Sequence, residues 1–222
     1  MSSLELRGVG KTRGSGRQAV RALSDVNLRL EPGELVLLEG PSGSGKTTLL
    51  SVAAGLLTPD EGTVTLAGHE LGPLSPAARR TVRARHVGFV FQRANLLEGL
   101  CVRDNVALAG ALAGMPRDRA EAEADRLLAA LGIAELFDRS PSHLSGGEEH
   151  RVAVARALVH TPAVVLADEP TGNLDSASGR SVAEALRSLA AHSAVLVASH
   201  DTRLHPFATR RLWIEDGRLE TR

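Results

Sequence analysis

Short apolar runs rich in Leu and β-branched residues recur along the whole chain, bounded by Gly, Pro or Asp. Runs of this kind predict β-strands. Two of them, VVLA at 164–167 and AVLVA at 194–198, are continuously apolar, which is typical of strands buried on both faces of a parallel sheet. Near the end of the chain, Asp216-Gly217 separates two short runs and predicts a hairpin. The predicted strands are Leu4–Arg7, Asp25–Leu30, Leu35–Leu38, Thr63–Leu66, Val87–Phe91, Val164–Ala167, Ala194–Ala198 and Leu212–Ile214.

Alanine-rich and charge-rich segments with helical spacing lie between these runs. From about Asn95 to Ser140 there is almost no β-branched run, so consecutive helices are predicted there. The sequence therefore predicts one α/β domain over residues 1–222. Residues 1–94 and 141–222 would form an α/β core with a β subdomain, and residues 95–140 an inserted helical subdomain. The clearest predicted helices are Thr47–Ala54, Arg117–Leu131, Glu149–His160 and Ser178–Ala191.

Composition narrows the classes of function. Lys+Arg and Asp+Glu both number 26, so the charge balance gives no support to a polyanion-binding protein, and no nucleic-acid partner is expected. The single cysteine, Cys101, excludes an intramolecular disulfide and a multi-cysteine metal site. The start of the chain lacks the apolar region of a signal peptide, and the longest uncharged apolar stretch, Val106–Met115, is too short to span a bilayer. We expect a soluble protein whose membrane role, if any, comes through a partner.

The stretch GPSGSGKT satisfies the phosphate-loop pattern G-x-x-x-x-G-K-[ST] in full, between the strand ELVLLE and the helix TTLLSVAAG. Its glycines let backbone N–H groups converge on phosphate oxygens, and the helix N-terminus adds a favourable dipole. Lys46 is predicted to bridge the β- and γ-phosphates, and the Thr47 hydroxyl to ligate Mg²⁺. The predicted nucleotide site comprises Gly40, Pro41, Ser42, Gly43, Ser44, Gly45, Lys46, Thr47 and Thr48.

A second Gly-Lys-Thr occurs at Gly10–Thr12, and its Lys11 and Lys46 are the only lysines of the chain. The residue five places before Gly10 is Glu5, where the pattern requires Gly, and a carboxylate there would repel a polyphosphate. No apolar helical run follows. We therefore expect Lys11 to be a solvated loop residue rather than part of a second nucleotide site.

Two further segments carry candidate chemistry. The apolar run AVVLADEP ends in Asp168, which can hold the Mg²⁺ shell, and in Glu169, which can polarise or deprotonate an attacking water. The alternative is a solvent-exposed acidic turn. In the segment LSGGE, Ser145, Gly146 and Gly147 precede a helical run and suit an anion at a helix N-terminus. The alternative is a helix N-cap serine followed by flexible glycines.

The chain resembles the ATP-binding cassette (ABC) ATPase family over nearly its whole length. The resemblance is carried by three segments together: GPSGSGKT, LSGGEEHRVAVARAL and VVLADEPTGNLDS. The resemblance implies a P-loop NTPase core with a mostly parallel sheet, an N-terminal antiparallel β subdomain and an inserted helical subdomain carrying the signature motif. It implies ATP and Mg²⁺ as cofactors. In family terms Gly40–Thr47 is the Walker A loop, Asp168 the Walker B aspartate, Glu169 the catalytic glutamate and Leu144–Glu148 the signature.

The resemblance assigns three more motifs. Gln92, in VGFVFQ, matches the Q-loop glutamine that touches the metal or water and senses the transport partner. Asn173-Leu174-Asp175 matches the D-loop, and His200, in ASHD, matches the switch histidine that contacts the γ-phosphate. Two cassettes of this family pair head to tail, so Ser145 and Gly147 would contact nucleotide held by the partner subunit. ATP would hold such a homodimer shut, and hydrolysis would release it.

Within the family, the chain is most similar to the group of lipoprotein-release, macrolide-exporter and cell-division cassettes. This similarity lies in the segments FQRANLLEGLCVRDNVAL and DEPTGNLDSASG. This implies an ATPase subunit at the cytoplasmic face of the cell membrane, held there by integral membrane permease subunits and driving export, lipoprotein release or mechanotransmission. The alternatives are a cassette of a non-transporting complex that regulates cell division or cell-wall hydrolysis, and a soluble non-transport ABC ATPase.

One position departs from the family pattern. The family places an aromatic residue between the first two strands to stack on adenine, and here that position falls at or near Arg13. A guanidinium can stack on a purine face for about 0.5–2 kcal/mol, so Arg13 is a candidate substitute. The alternative is that Arg13 is a solvated loop residue and adenine binds loosely.

Overall fold

The computed structural model describes residues 2–172 and 174–221 of the chain. These residues form a four-stranded sheet, a six-stranded sheet and six α-helices. In chain order the elements are β1 (Leu4–Arg13), a 3₁₀ turn (Gly16–Gln18), β2 (Val20–Leu30), β3 (Leu35–Glu39), α1 (Lys46–Ala53), β4 (Glu61–Leu66), β5 (His69–Glu70), α2 (Pro76–His86), β6 (Val87–Val90), α3 (Val102–Leu112), α4 (Arg117–Ala130), two 3₁₀ turns (Ala134–Leu136 and Pro141–His143), α5 (Gly146–Leu158), β7 (Val164–Asp168), α6 (Ser176–Ala190), β8 (Ala194–Ala198), a 3₁₀ segment (Thr202–Phe207), β9 (Arg210–Glu215) and β10 (Arg218–Thr221).

The six-stranded sheet has the order β10-β9-β3-β8-β7-β6, and all its neighbouring pairs are parallel except β10 with β9. Successive residues of β3 point to opposite faces. Leu35 and Leu37 join one core with α3 to α6, while Val36 and Leu38 join a second core with α1 and the other sheet. Each such side chain contributes roughly 1.5–3 kcal/mol by burial. Strands β7 and β8 alternate between the same two cores, which confirms the prediction of burial on both faces made from their continuously apolar runs.

The four-stranded sheet has the order β2-β1-β4-β5 and is antiparallel. Its strand β1 extends well beyond the predicted Leu4–Arg7, because it pairs with β2 as far as Arg13. Lys11 therefore lies in a strand, and the expectation that it is a solvated loop residue is wrong. Its Nζ donates to Asp60 Oδ1 at 2.7 Å, and only 17% of its side chain is exposed.

The middle of the chain forms consecutive helices, as predicted. Helix α5 packs against both α3 and α4, and the three share one apolar core. The boundaries of a helical subdomain at residues 95–140 stay a prediction. The sequence analysis did not assign α2, because this helix is polar around nearly its whole circumference and buries only Val82.

The loop before α3 depends on Asn105, which is 1% exposed. Its Oδ1 accepts the Leu97 N–H at 2.7 Å, and its Nδ2 donates to the carbonyls of Leu97, Leu100 and Cys101 at 3.0–3.1 Å. One side chain thus satisfies four backbone groups of a segment that has no regular structure. The segment 97–101 is held to α3 through this side chain.

The predicted hairpin near the end of the chain is confirmed. Strands β9 and β10 pair antiparallel, and Asp216 and Gly217 both have positive φ, as a type I′ turn requires. Among the helices of residues 2–172 and 174–221, none is both long enough and apolar enough to cross a membrane.

We predict that Asn105→Ala lowers the free energy of unfolding by about 1–3 kcal/mol, because it removes a buried side chain that makes four hydrogen bonds to the backbone of residues 97–101. Urea denaturation measures this change. The matched control is Asn27→Ala, since Asn27 is exposed and water can replace its hydrogen bonds. Equal effects of the two substitutions would contradict the role given to Asn105.

Candidate functional site

A cavity of about 590 Å³ lies at the carboxyl ends of the parallel strands β3, β6, β7 and β8. This edge of an open α/β sheet is where such folds bind ligands. Apart from Ala22, every lining residue is one that the sequence analysis assigned to the nucleotide site. The lining residues are Ala22, Gly40, Pro41, Ser42, Gly43, Gly45, Lys46, Thr47, Thr48, Gln92, Asp168, Glu169 and His200.

The loop between β3 and α1 is shaped by glycines at two close backbone contacts. Gly40 has φ +153°, and a Cβ there would lie 2.1 Å from the Ile214 carbonyl oxygen. Gly45 has φ +110°, and a Cβ there would lie 2.4 Å from the Ala22 carbonyl oxygen. No larger residue fits either position without moving the backbone. The loop is therefore pressed against β2 and β9, with its other side open to the cavity.

Helix α1 begins at Lys46 with Gly45 as its N-cap, so no side chain satisfies its first N–H groups. These donors face a cavity and favour an anion. Lys46 Nζ donates to the carbonyls of Gly40 and Pro41, at 2.7 and 2.8 Å. The only lysine of the loop is thus folded back over the position that a phosphate would take.

The oxygen atoms suited to Mg²⁺ lie beside this loop. Thr47 Oγ1 donates to Asp168 Oδ2 at 2.7 Å, so a hydroxyl from α1 and a carboxylate from the end of β7 are already adjacent. Burial raises the pKa of Asp168, and the Thr47 hydrogen bond opposes this shift. A cation would relieve the cost of keeping this carboxylate ionised. Hydroxyl, carboxylate and phosphate oxygens are the donors that Mg²⁺ prefers, so the residues present fit the ion.

Glu169 is held by the loop that follows β8. Its Oε1 lies 2.8 Å from His200 Nδ1, and its Oε2 accepts the Ser199 hydroxyl at 2.7 Å. Its backbone has φ +50°, a strained conformation for a residue other than glycine. The Glu169 N–H donates to Ala198 O at 2.8 Å, which fixes this strained residue to the end of β8. The sequence analysis did not identify Ser199, because serine after a strand carries no pattern of its own.

His200 and Gln92 complete the cavity from two other strand ends. The His200 side chain is 82% exposed although it contacts Glu169, so its ring faces the open cavity. Gln92 is exposed and follows β6 by two residues. The cavity thus brings together a lysine, a carboxylate pair, a histidine and an amide, each from a different loop or strand end.

Ser44 and Arg13 are predicted site residues that do not line the cavity. Ser44 is 6% exposed, and its buried Oγ has no hydrogen-bond partner among the described residues. Arg13 is exposed at the end of β1, where it pairs with Val20 of β2. Ala22, further along β2, lines the cavity instead. A role for Arg13 in stacking on the base stays a prediction.

The signature residues Ser145, Gly146 and Gly147 also lie outside the cavity. Ser145 is the N-cap of α5 in a complete capping box: Glu148 N donates to its Oγ, and Glu148 Oε2 accepts its N–H at 2.7 Å. This hydrogen bond to Ser145 lowers the pKa of Glu148. The N-cap interpretation of Ser145 is therefore confirmed. A Cβ at Gly146 would meet nothing within 4 Å, so this end of the helix is open to a ligand from outside the protomer.

In the D-loop motif, Asn173 lies outside the described residues. Asp175 is the N-cap of α6, where its Oδ1 accepts the N–H groups of Ala177 and Ser178 at 2.9 and 3.0 Å. These hydrogen bonds, first of all that from the Ser178 backbone, lower the pKa of Asp175. The sequence analysis did not foresee this capping role.

Comparison with known proteins identifies the family. A family model described as ABC transporter matches residues 23–172. The lipoprotein-releasing system ATP-binding protein LolD of Granulibacter bethesdensis is 43% identical over 219 residues, covering 98% of this chain and 96% of the relative. The macrolide export ATP-binding/permease protein MacB 1 of Aeromonas hydrophila subsp. hydrophila is 44% identical over 216 residues.

The match to MacB 1 covers 96% of this chain and 33% of the relative, so the chain spans about a third of the length of the MacB proteins. Among solved structures, the ATP-binding cassette MJ0796 in a dimeric post-hydrolysis state with ADP and Pi aligns with a TM-score of 0.91 at 33% identity, covering 98% of both chains. A second dimeric structure of this cassette aligns equally well at 34% identity. These alignments show the ABC cassette fold, with its antiparallel β subdomain and mostly parallel sheet.

We predict that Asp168→Asn raises the free energy of unfolding by about 0.5–2 kcal/mol and removes ATP hydrolysis. A gain in stability at the expense of activity is common when a residue of a functional site is replaced. The pKa of Asp168 is raised on folding, so its ionisation at neutral pH opposes folding, and a neutral amide removes that cost. Urea denaturation with and without Mg²⁺ and ATP measures the stability, and phosphate release measures hydrolysis.

The control for this prediction is Asp60→Asn. The pKa of Asp60 is lowered, first by its hydrogen bond from Lys11, so neutralising it should not stabilise the fold. Mg²⁺ with ATP should stabilise wild type and Asp60→Asn, but not Asp168→Asn. A decrease in the stability of Asp168→Asn without nucleotide would contradict the cost assigned to the buried carboxylate.

Proposed function

The chain belongs to the ABC transporter family, and we propose that it is the ATP-binding and ATP-hydrolysing subunit that drives a separate membrane permease. The observation that carries this proposal is that two pairs of functional side chains line the same cavity. Thr47 and Asp168 supply oxygen ligands beside the phosphate loop, and Glu169 with His200 supplies an acid–base pair. LolD, named as an ATP-binding protein, matches the chain over nearly its full length.

Binding would begin at the phosphate loop. Phosphate oxygens would accept the free N–H groups at the start of α1, and Lys46 would leave the carbonyls of Gly40 and Pro41 to contact the β- and γ-phosphates. Thr47, Asp168 and Gln92 would hold Mg²⁺. The bound ion would neutralise charge on the phosphates that develops during phosphoryl transfer.

Hydrolysis would use the carboxylate of Glu169 as the general base. Ser199 donates to one of its oxygens and His200 contacts the other, so the group is held in place without losing its access to the cavity. A water between Glu169 and the γ-phosphate would give its proton to the carboxylate as its oxygen attacks phosphorus, and ADP would leave. His200 would contact the γ-phosphate and orient Glu169.

We infer that two protomers close head to tail around two ATP molecules. The signature residues Ser145 and Gly147 lie outside the protomer's own cavity, at an α5 end that is open at Gly146. They would complete the site of a second protomer and act on its γ-phosphate through the helix dipole. The dimeric state named for MJ0796 supports this arrangement.

A groove beside Gln92 is the surface we assign to the permease. It has a volume of about 520 Å³, is mainly apolar, and is bordered by Leu56, Phe91 and Leu112, which are 45%, 36% and 68% exposed. Among the residues that the structure describes, its charged side chains are all basic, and Thr81 is its one uncharged polar side chain. The lining residues are Ala54, Leu56, Arg80, Thr81, Arg83, Ala84, Arg85, Val87, Phe89, Phe91, Leu112, Ala113 and Gly114.

Charge complementarity identifies the chemistry of the segment that would fill this groove. Arg80, Arg83 and Arg85 lie on α2, and the positive charge of Arg80 adds to burial in lowering the pKa of Arg83. An amphipathic cytoplasmic segment with apolar and acidic residues would cover the apolar surface and pair with these charges. This docking would place the cassette at the cytoplasmic face of the membrane. The name of MacB, an ATP-binding/permease protein, joins the same two functions in one chain.

The permease's task would be export, lipoprotein release or mechanotransmission, in line with the names of the LolD and MacB relatives. The second candidate is a cassette of a non-transporting complex that regulates cell division or cell-wall hydrolysis, which would use the same cavity and the same groove. No nucleic-acid partner is proposed.

We predict that Glu169→Gln binds ATP with near wild-type affinity, accumulates as a dimer, and hydrolyses ATP roughly 10²–10⁴ times more slowly, the range for loss of a general base. Size-exclusion chromatography with light scattering measures the dimer, and phosphate release measures hydrolysis. Unchanged hydrolysis by Glu169→Gln would exclude this glutamate as the base.

Three further variants separate nucleotide binding at the phosphate loop from dimerisation through the signature. Lys46→Ala should lose nucleotide binding, whereas Lys11→Ala, which breaks only the ion pair with Asp60, should keep it. Ser145→Arg combined with Glu169→Gln should bind ATP as a monomer but form no dimer. Normal dimerisation of that double variant would exclude the shared site.

We predict that Leu112→Glu abolishes recovery of a multi-span membrane protein with the chain from detergent-solubilised native membranes, while the ATPase activity of the purified chain is retained. An acidic residue in the groove would repel the acidic partner segment and interrupt the apolar surface. Pull-down followed by mass spectrometry measures the recovery.

Val20→Glu is the matched control, because Val20 is similarly exposed, at 64%, and does not line the groove. Recovery of the same membrane protein should be unchanged in this variant. If Leu112→Glu and wild type recover it equally, the groove is not the docking surface. If wild type recovers no multi-span protein, the permease-driving function is wrong.

A further inference from the structure

Two loops that leave the sheet at β7 and β8 are tied together by Asp201 and Arg203. The first loop carries Glu169 and is described at residues 169–172 and 174–175, and the second, which carries His200, leads from β8 into the 3₁₀ segment that contains Arg203. Neither Asp201 nor Arg203 lines the nucleotide cavity. Their contacts nevertheless reach both loops, and we refer to these two residues as the Asp201–Arg203 pair.

Asp201 connects to Glu169 in two ways. Its Oδ2 accepts the hydroxyl of Thr171 at 2.6 Å, two residues after Glu169. Its N–H donates to Ser199 Oγ at 3.1 Å, and that same hydroxyl donates to Glu169 Oε2 at 2.7 Å. The carboxylate and backbone of Asp201 therefore fix both the loop after Glu169 and the serine that holds its carboxylate.

Arg203 connects the pair to the far end of the loop. Its Nε donates to Asp201 Oδ1 at 2.9 Å, and its Nη2 donates to the carbonyls of Thr171 and Leu174 at 3.2 and 3.4 Å. Arg203 lowers the pKa of Asp201 to about 2, so this carboxylate is ionised at any pH of an ATPase assay. A Cβ at Gly179 would lie 3.2 Å from the guanidinium, so the side chain packs closely against α6.

Leu174 extends this connection to the signature. Its side chain is 7% exposed and belongs to the helical core, and a Cβ on Gly147 would lie 3.5 Å from Leu174 Cδ2. Leu174 thus lies beside the start of α5, in the apolar core to which this helix contributes. Hydrogen bonds and packing form a continuous path from Glu169 through Asp201, Arg203 and Leu174 to Gly147.

We propose that Asp201 and Arg203 are positioning residues that couple the Glu169–His200 site of one protomer to the signature loop that completes the partner's site. The inference rests on the proposed function, since it requires two shared sites. When Glu169 and His200 adjust to the γ-phosphate, the pair transmits the change to Thr171 and Leu174, and through Leu174 to Gly147. The two sites would then hydrolyse ATP cooperatively.

The test compares Arg203→Ala with Thr171→Val, which deletes only the hydroxyl held by Asp201. Both should lower kcat by about tenfold or more, in keeping with the sensitivity of catalysis to misplacement of a catalytic group. Both should lower the Hill coefficient for ATP towards about 1, the value for sites without coupling. Nucleotide affinity of the monomer, measured with ADP, should change less than about twofold, because neither residue lines the cavity.

Arg180→Ala is the matched control. Arg180 lies beside the same cavity near α6 as Arg203, but its ion pair joins it to Glu184 of its own helix. Its kcat and Hill coefficient should remain those of wild type. Arg203→Lys, which keeps a charge opposite Asp201 but lacks the fork that reaches both carbonyls, should recover part of kcat.

A residue that only stabilises the fold would lower the melting temperature without changing the Hill coefficient at temperatures where the protein is folded. Thermal unfolding of each variant is therefore measured, and kinetics are recorded well below the transition. The double variant Thr171→Val with Arg203→Ala should lose no more than the larger single effect, since both break one unit.

Wild-type kinetics for Arg203→Ala, or equal losses in Arg203→Ala and Arg180→Ala, would overturn the coupling role. Failure of the proposed function gives a different result. In that case Glu169→Gln would form no ATP-dependent dimer and wild type would show no ATPase activity.

Discussion

The parallel pairing of β3, β8 and β7 is the constraint on which the rest of the structure depends. Each strand is buried on both faces, so its alternate side chains must fill two different cores. The register places the ends of β3, β7 and β8 at one edge of the sheet, where Asp168 ends β7 and where Gly40 and His200 follow the other two strands. Because each of these strands is paired with a neighbour on both sides, its backbone polar groups become available mainly where the strand ends. The chemistry is therefore confined to that edge.

Much of this arrangement can be predicted from the sequence, and the failures have a common cause. Continuously apolar runs such as 164–167 identify buried strands because burial on both faces leaves no polar alternation. The phosphate loop is predictable because its glycines and lysine are contiguous. Lys11 was misassigned because its partner, Asp60, is 49 residues away. Ser199 and Arg203 were missed for the same reason: their contacts depend on two strand ends that meet only in the folded sheet.

Three features of the nucleotide cavity lower the stability of the folded protein. Burial raises the pKa of Asp168, Glu169 adopts a left-handed backbone conformation, and Ser44 Oγ is buried without a partner among the described residues. All three lie within or next to the nucleotide cavity. At Asn105, by contrast, both polar atoms of a buried side chain are hydrogen-bonded. Bound nucleotide and cation would compensate for these costs, so folding stability and occupancy of the site are linked.

The chain has two lysines, and their surroundings differ. The Lys11 ammonium is bound to a carboxylate, whereas that of Lys46 contacts only the neutral carbonyls of Gly40 and Pro41. Side-chain amine chemistry on this protein is therefore limited to two positions, and one of them lines the nucleotide cavity. Acetylation, or any other acylation that neutralises the Lys46 ammonium, would remove the charge that we propose for contact with the β- and γ-phosphates. A single covalent event could thus silence the cassette while leaving its fold intact.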